Sequence, residues 1–590
     1  MIKIFFTSIK KNWPVIILAA VFGFLVFLPT LFLIYSIGRD SFRGIYPLFN
    51  KDEIHYLAMT KEAADGHIGL GSTFIEEYKA NSGIQSPLAE IILAGFSKLL
   101  HVSIPLLFVI NDFVLPFFGF ILLYIFFKGI TDNNKLAVFF TVMFFLFFLH
   151  TFGRPINPQF SFIFLVAGLI LIRGIFDENL LPRRKMKYSL VLGAVIGLLI
   201  YIYPYFWTAL MVLFFVNLLF NSLLFRSVNN LKPAFFMLPV FALLAVPYVV
   251  NSLKAAANPF YAETISRFGL LNNHWPACYI NVAIVIFTFF ILLLSKKYLN
   301  RAEFYCAGSF LTSALILNWQ NVITGKYLQF SSHYYQVTIL FVLTCLLIIF
   351  GGVIKKTQTK NNYRDYRRFA AIGLLILLSC YLFYRQRGEI VVGIHNIFPT
   401  DQALELQELA PIFNWLNTNT APDSVVLTDD QNLAGYLSIY TANNNYNYGY
   451  AGYYLMSDEE LEDRWVRQNI FEDNAIDGEY VFNNNRAIWL NKFIDNYQNK
   501  TIREKILSKL TGKDAESIEY VPGHYINRIE RKYEDAKKRN LLSVLKKFKI
   551  DYIIVGRNNE KHAAINKRLS GYKEVKKIVD INGAIIYRIE

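Results

Sequence analysis

Apolar segments long enough to cross a membrane recur through the first 385 residues of this chain. A transmembrane helix needs about 20 mostly apolar residues, and the chain is 54% hydrophobic but only 17% charged. A soluble domain does not hide that much apolar surface. The sequence therefore predicts a polytopic α-helical membrane protein. About eleven spans are expected, near residues 14–37, 104–127, 135–152, 158–176, 188–203, 205–222, 233–253, 277–295, 302–319, 333–354 and 369–385.

Short clusters of Lys and Arg separate these apolar segments and account for the net charge of +15. Such clusters remain on the cytosolic side of membrane spans, so the charge does not indicate a nucleic-acid partner. They place the N-terminus in the cytosol and leave four loops on the outer face, at 38–103, 153–157, 254–276 and 320–332. The apolar stretch from Met186 to Ser222 has basic flanks on both sides, which predicts two helices that turn at Tyr203-Pro204.

Everything after about residue 386 also falls on the outer face. The sequence predicts a transmembrane domain over 1–385 and an extracytoplasmic α/β domain over 386–590, with short strands near 424–428, 551–556 and 584–588. Residues 441–454 are rich in Asn and Tyr and lack helical periodicity, which predicts a loop or an edge strand. Because aromatic rings pack on sugars and amides bond hydroxyls, this stretch is either a sugar-contacting surface or an ordinary exposed loop.

Two further features complete the outline of the scaffold. Residues 86–100 are too few to span a membrane but are amphipathic, as expected for a helix that lies in the interface beside a lateral entrance for lipid. The four cysteines lie within or beside apolar segments, which predicts core packing and neither a disulfide framework nor a Cys-based zinc site. They are Cys278, Cys306, Cys345 and Cys380.

An acidic pair, Asp52 and Glu53, follows the first apolar segment and lies just outside the predicted membrane surface. On a helix that begins near residue 52, Asp52, His55 and Tyr56 share one face, whereas Glu53 points away. A carboxylate at such a position can act as a general base on an acceptor hydroxyl, or bind a divalent cation that neutralises a phosphate leaving group. The alternative is that Asp52 is simply the N-cap of the helix, with Glu53 in its first turn.

The sequence Asp52-Glu53-Ile54-His55-Tyr56 resembles the Asp-Glu-x-His-aromatic motif of protein O-mannosyltransferases. More broadly, it resembles the first-loop acidic motif of GT-C membrane glycosyltransferases, among them the aminoarabinose transferase-like group. Gln85-Ser86-Pro87-Leu88 resembles the Pro-Pro-Leu element that follows this motif, with Ser86 in place of the first proline. The resemblance implies a GT-C architecture, a sugar donor on polyprenyl phosphate, and Asp52 as the catalytic base with Glu53 in support.

A second cluster precedes the span near 333–354. Gly325, Gln329 and His333 resemble a Gly-x-x-x-Gln-x-x-x-His pattern of bacterial GT-C-like membrane proteins. On a helix Gln329 and His333 lie one turn apart, and Lys326 adds a cation. Lys326 and Arg154 are the candidates for holding the lipid phosphate, because the outer loops contain few cations. The alternatives are interfacial snorkelling for Lys326, a helix-end anchor for Arg154 and an ordinary interface histidine for His333.

The outer loop before residue 276 supplies candidates for an acceptor groove, namely Tyr261, Glu263, Arg267, His274 and Trp275. Aromatic residues near the turn of the helix pair are predicted to form an interfacial belt. These are Tyr203, Tyr205 and Trp207, which flank or follow Pro204.

These expectations describe a glycosyltransferase that moves a sugar from a polyprenyl-phosphate donor to a glycan, lipid or protein acceptor, at the outer face of a bacterial inner membrane. Asp52 takes the acceptor proton, and Glu53 and His55 shape the site. The predicted substrate contacts are Tyr56, Arg154, His274, Lys326, Gln329 and His333. Asp52 is also the candidate ligand of a Mg²⁺ or Mn²⁺ ion, although the loop at 153–157 offers no second acid.

Two other classes of protein fit the same composition. A transporter or flippase of lipid-linked glycans would use the outer acids and cations as a transient binding site, but charged residues within the spans are scarce, which disfavours transport. A non-catalytic envelope assembly protein would bind glycan through the outer α/β domain. Turnover of a lipid-linked donor separates an enzyme from both.

Overall fold

A computed structural model describes residues 2–48, 51–69, 71–225, 229–276, 278–327, 333–359, 400–471, 476–514, 517–556 and 559–590. Within these ranges, seven helical segments are long and apolar enough to cross a membrane. They are Asn12–Ile37, Ile104–Thr131, Pro155–Phe176, Pro204–Ser222, Ala234–Ala256, Tyr279–Tyr298 and Tyr334–Lys356, and Asn134–Phe148 is a shorter apolar helix. The chain is thus a polytopic α-helical membrane protein, as predicted.

Within the described residues, the helical part contains thirteen α-helices, labelled in chain order. They are α1 (Ile2–Ile37), α2 (Lys51–Asp65), α3 (Leu88–Leu100), α4 (Ile104–Thr131), α5 (Asn134–Phe148), α6 (Ser161–Phe176), α7 (Pro182–Leu199), α8 (Pro204–Phe225), α9 (Met237–Ala256), α10 (Tyr261–Arg267), α11 (Tyr279–Ser295), α12 (Arg301–Thr324) and α13 (Tyr334–Thr359). Each predicted span up to residue 354 coincides with one of these helices, although α5, α7 and α12 are not among the seven segments that are long and apolar enough to cross a membrane. The predicted span near 369–385, and with it the predicted domain boundary, lies outside the described residues.

Local sequence signals set several helix ends. Ser103 caps α4 by accepting a hydrogen bond from the amide of Leu106 (3.4 Å). Asn300 and Glu303 form a capping box at the start of α12, which ends at Gly325 in the left-handed region (φ +67°). The predicted turn of the helix pair is confirmed, because α7 ends at Leu199 and α8 begins at Pro204.

Helix α3 has the two faces expected of an interfacial helix. Ala89 and Leu93 are buried against the rest of the protein, whereas Phe96, Leu99 and Leu100 are exposed by 47%, 72% and 56%. A free apolar face of this kind suits contact with lipid. Among the described cysteines, Cys278, Cys306 and Cys345 form no disulfide and none is fully exposed; Cys380 lies outside the described residues.

The C-terminal domain is built on a five-stranded mixed sheet. Its strands are β3 (Val425–Thr428), β4 (Asn444–Asn445), β5 (Tyr552–Val555), β6 (Val575–Ile581) and β7 (Ala584–Ile589), and a separate pair, β1 (Leu271–Asn272) and β2 (Lys326–Tyr327), joins two outer loops. The order in the sheet is β4-β3-β5-β7-β6, with β3 parallel to β4 and β5, and β7 antiparallel to β5 and β6. The predicted α/β domain is confirmed.

Helices flank the sheet and extend the domain beyond it. They are Thr400–Gln407, Ala410–Asn419, Gln431–Tyr440, Asp458–Gln468, Gly478–Asn483, Asn485–Trp489, Ile494–Thr511, Gly523–Lys537, Leu541–Leu545 and Asn559–Leu569. Short β3 and β5 are buried along their whole length, as expected of central strands covered on both faces.

The C-terminal domain packs against the segments on either side of α2 through many polar contacts. The side-chain amide of Gln407 accepts from the backbone of Arg43 (2.9 Å) and donates to the carbonyl of Ile45 (2.7 Å). The guanidinium of Arg464 bonds Glu77 (3.0 Å). Because Arg43 and Ile45 lie between α1 and α2, and Glu77 follows α2, these contacts fix the domain at the end of the bundle where α2 lies.

Arg267, at the end of α10, provides a second attachment. Its side chain is fully buried, forms an ion pair with Asp458 (2.5 Å), and donates to the carbonyls of Gly452 (2.8 Å) and Met456 (2.7 Å). The prediction that Arg267 lines an acceptor groove is therefore wrong. A buried guanidinium requires several acceptors, and here the C-terminal domain supplies them.

Candidate active site

The site is centred on Asp52, which lies in the first turn of α2. Its Oδ2 atom is 2.7 Å from Nη2 of Arg154, and its Oδ1 atom accepts a hydrogen bond from the hydroxyl of Tyr450 (2.9 Å). The side chains of Asp52 and Arg154 are 36% and 25% exposed. Three distant segments of the chain thus meet at a carboxylate that solvent still reaches, an arrangement that an N-cap alone does not require.

Arg154 is held by the irregular connection between α5 and α6. Residues Pro155–Phe160 form a turn of π-helix. In this turn the side-chain amide of Gln159 donates to the carboxylate of Asp112 (2.9 Å) and to the carbonyl of Phe152 (2.8 Å). Burial would lower the pKa of Arg154, but the nearby Tyr56 and Asp52 outweigh burial and raise it. The guanidinium is therefore a permanent cation, and its buried Nε has no hydrogen-bond partner among the described residues.

A ring of polar aromatic residues lies behind this ion pair. Tyr56 is buried, and its hydroxyl accepts from the amide of Asn157 (3.5 Å). The hydroxyl of Tyr203 lies 2.7 Å from Nδ1 of His333. Burial, and then the charge of Arg154, lower the pKa of His333 to about 3. At neutral pH His333 is thus an uncharged hydrogen-bonding group, which leaves Arg154 as the cation of this cluster.

His55 is buried on the same face of α2 as Asp52. Its ring stacks on that of Tyr450 (centroids 5.4 Å apart, planes at 24°), and its Nε2 donates to Gln85 (3.5 Å). Burial lowers the pKa of His55 to about 4, while the bond to Gln85 opposes the shift. The two sequence elements that carry the family resemblance, around Asp52 and around Gln85, are therefore in contact through His55.

Glu53 faces a different part of the protein. It lines a small cavity together with Thr30 and Asp112, on the side of α2 that the helical spacing assigned to it. Asp112 is itself bonded to Gln159 of the loop that carries Arg154. Glu53 thus lies near Asp112, which helps to hold the loop that carries Arg154, whereas Asp52 binds Arg154 directly.

Lys326 and His274 lie on or beside the strand pair β1 and β2. The ammonium of Lys326 donates to the side chain of Asn272 (2.7 Å), and Nδ1 of His274 donates to the carbonyl of Val322 (3.1 Å). His274 also packs over Gly325, where a Cβ would lie 2.5 Å from its Nε2. The third predicted contact of this region, Gln329, lies outside the described residues.

The C-terminal domain contributes residues that sequence reasoning did not place at the site. Residues 448–454, here called the tyrosine segment, follow β4 and contain the 3₁₀ turn Gly449–Tyr453. Tyr450 and Tyr453 stack on each other (5.8 Å, 22°), and both lie against the ring of His55. The segment is half-buried at the domain junction, so its interpretation as an ordinary exposed loop is wrong. Its unusual density of tyrosines was the available signal.

The aromatic belt predicted near Pro204 is also revised. Tyr203 and Tyr205 are 7% and 5% exposed, and the ring of Tyr205 packs on His333 (4.9 Å). These two residues face the site and not the lipid interface. Periodicity does not separate the two outcomes, because tyrosine suits any boundary between polar and apolar surroundings.

The described residues do not fit a divalent metal ion at Asp52. No group of three or more His, Cys, Asp or Glu side chains in the described part of the chain has the arrangement to hold one. Both carboxylate oxygens of Asp52 already have partners, and one partner is the cation Arg154. A second cation would meet like charge there.

No protein-family model matches the sequence, and no curated protein matches it. The chain is similar in structure to the apo oligosaccharyltransferase of Archaeoglobus fulgidus, at 12% identity and a TM-score of 0.43, over 92% of this chain and 70% of that one. It is also similar to ArnT from Cupriavidus metallidurans bound to undecaprenyl phosphate, at 10% identity and a TM-score of 0.44, over 74% and 86% of the two chains. A third similar structure is the Archaeoglobus fulgidus oligosaccharyltransferase AglB with an inhibitory peptide and a dolichol-phosphate, at 12% identity and a TM-score of 0.43, over 99% and 75%. These similarities are distant.

Proposed function

We propose that this protein is an integral-membrane glycosyltransferase of the GT-C type. It transfers a sugar from a polyprenyl-phosphate donor to an acceptor hydroxyl at the extracytoplasmic face of a bacterial inner membrane. The observation that carries this proposal is the ion pair of Asp52 and Arg154 at one end of the bundle, with both side chains partly open to solvent. A general base and a phosphate-binding cation side by side are the two groups that this transfer requires.

Donor binding begins at Arg154. The phosphodiester of the donor carries one negative charge, as the carboxylate of Asp52 does, and its two free oxygens accept two parallel hydrogen bonds from a guanidinium, one of them from Nε. The phosphate of the donor therefore draws Arg154 away from Asp52 and engages its unpartnered Nε. The exchange releases Oδ2 of Asp52, and the base becomes available only when a donor is in place.

Transfer then proceeds by displacement at the anomeric carbon. Asp52 takes the proton of the acceptor hydroxyl, the acceptor oxygen bonds to the anomeric carbon, and the bond from that carbon to the phosphate oxygen breaks. The electron pair of the broken bond remains on the leaving polyprenyl phosphate, where Arg154 stabilises the added charge. Asp52 afterwards releases its proton to water.

The other polar residues have supporting roles in this proposal. Tyr203 and His333 orient the phosphate from behind Arg154, as hydrogen-bonding partners at 2.7 Å from each other. Glu53 and His55 fix the position of α2, the helix that carries Asp52. Lys326 and His274 are proposed substrate contacts farther out, on the loops joined by β1 and β2, and Gln329 is proposed to join them.

The experiment that tests the class of protein is an assay of purified wild-type protein with radiolabelled polyprenyl-phosphate sugars and a panel of cell-envelope acceptors. The proposal predicts acceptor-dependent release of free polyprenyl phosphate and labelled product. A transporter or flippase would instead move intact donor across proteoliposomes without releasing polyprenyl phosphate, and that result would overturn the proposal.

A further inference from the structure

The carboxylate of Asp52 has two sides, and different domains occupy them. Oδ2 faces Arg154 of the membrane part, whereas Oδ1 faces Tyr450 of the C-terminal domain. In an inverting displacement the incoming group and the leaving group lie on opposite faces of the sugar ring. With the leaving phosphate on Arg154, the acceptor reaches the released Oδ2 atom from beside Tyr450, the other neighbour of the carboxylate.

The surface on that side is aromatic and carries hydroxyl groups. Tyr448, Tyr450 and Tyr453 form a continuous row, with centroids 5.8 Å apart from Tyr448 to Tyr450 and from Tyr450 to Tyr453. All three are neither fully buried nor fully exposed. Half-buried tyrosines offer an apolar ring face and a polar tip in one side chain, a combination that matches the alternating apolar and hydroxylated surface of a sugar.

The row is held rigidly before any ligand arrives. Arg267 binds the carbonyls of Gly452 (2.8 Å) and Tyr454 (3.1 Å), the side chain of Asn491 donates to the hydroxyl of Tyr453 (3.3 Å), and Phe268 packs on the ring of Tyr453 (4.8 Å). A preorganised surface loses little conformational entropy on binding. Burial raises the pKa of Tyr453 to about 12 and also raises that of Tyr450, so both remain hydrogen-bond donors at physiological pH.

We infer that the acceptor is a saccharide and that the tyrosine segment of the C-terminal domain is its binding surface, with Tyr450 positioning Asp52 against the acceptor hydroxyl. This inference rests on the proposed function for the role of Tyr450. The saccharide-binding surface itself is a property of the free protein.

The test uses the full-length protein and two separate readouts. The first is equilibrium binding to an array of oligosaccharides without donor, for wild type, Tyr453→Ala, Tyr453→Phe and the control Tyr497→Phe, which removes a hydroxyl elsewhere in the same domain. Wild type and the control should bind the same saccharides with similar affinity. Tyr453→Ala should weaken binding by roughly tenfold or more. Tyr453→Phe, which keeps the aromatic ring, should retain most of the affinity of wild type. Absence of saccharide binding by wild type, or equal binding by Tyr453→Ala with an unchanged melting temperature, would overturn the inference.

The second readout concerns Tyr450. Tyr450→Phe should lower kcat for transfer, because the carboxylate loses the hydrogen bond that orients it, while KM for the lipid donor stays the same. An unchanged kcat would show that Tyr450 does not position Asp52. If saccharide binding depends on Tyr453 but no donor is turned over, the saccharide-binding surface is supported and the proposed glycosyltransferase activity is rejected.

Discussion

Arg154 and Asp52 form an ion pair in which Nη2 and Oδ2 are 2.7 Å apart. The pair joins the connection between α5 and α6 to the first turn of α2, and it brings the only strong cation of the central cluster, within the described residues, into contact with the proposed base. While the pair is intact, Oδ2 is occupied by Arg154 and is not open to an acceptor hydroxyl. The pair therefore links the binding of the donor phosphate to the availability of the base.

Replacement of Arg154 should reduce activity toward the lipid donor without unfolding the protein. Arg154→Ala is expected to reduce kcat/KM for the lipid donor by roughly 10²-fold or more, because the leaving phosphate loses its charge partner. Arg154→Lys should recover part of the loss, since a lysine keeps the charge but not the bidentate geometry. Steady-state release of polyprenyl phosphate measures both, and Arg39→Ala, at an exposed arginine of the first outer loop, is the control. Equal activity of Arg154→Ala and the control would contradict the role of Arg154.

The buried His55 predicts a defined dependence of stability on pH. Its folded-state pKa of about 4 is below the usual 6.5, so the unfolded chain binds a proton between these values and the folded chain does not. The contribution of His55 to stability is present above pH 6.5 and is lost as the pH falls, by on the order of 3 kcal/mol at pH 4. Melting temperatures of wild type and His55→Gln should converge toward acid pH. His67→Gln, at a more exposed histidine, should show no such convergence.

The attachment of the C-terminal domain should depend on Arg267. Arg267→Met leaves Asp458 with only Lys492 of its two cations and removes the donor from the carbonyls of Gly452, Tyr454 and Met456, which is expected to cost about 3 kcal/mol or more. Arg503→Ala is the matched control, because Arg503 reaches the same outer loop only by lying over Trp275 (5.5 Å) at the surface, an interaction of about 0.5–1 kcal/mol. Unfolding in detergent and limited proteolysis between the domains measure the difference. Comparable stability of the two variants would show that the Arg267 contacts do not hold the domain.

The polar partners of Asp52 also predict how the transfer activity responds to removal of divalent metal ions. Because both oxygens of the carboxylate are bonded to Arg154 and Tyr450, donor turnover should persist in excess EDTA. Loss of activity in EDTA that Mg²⁺ or Mn²⁺ restores would contradict this expectation and would place a metal ion in the reaction.

The helical scaffold was accessible from the sequence because membrane spans are strongly constrained. Length and apolarity located α1, α4 and α13, and basic flanks with Pro204 located the turn between α7 and α8. The spacing on α2 correctly separated Asp52 from Glu53, since residues one apart on a helix point in different directions.

Contacts between distant segments were not accessible in the same way. Nothing local to Tyr450 indicates that it reaches Asp52, which lies 398 residues away in the chain. Arg267 looks like a surface cation in a polar loop, and only the fold surrounds it with Asp458 and backbone carbonyls. For Tyr203 the sequence favoured an interfacial belt, and this prediction was wrong because the residue type suits a buried polar site equally well.

The central claim is that Asp52 is the base of a glycosyl transfer. The most direct measurement is the release of labelled polyprenyl phosphate by wild type, Asp52→Asn and Asp40→Asn, the last replacing an exposed acid of the same outer loop. We expect Asp40→Asn to match wild type and Asp52→Asn to lose roughly 10²- to 10⁴-fold in kcat while it still binds donor and melts at a similar temperature. Full activity of a folded Asp52→Asn protein would contradict the account.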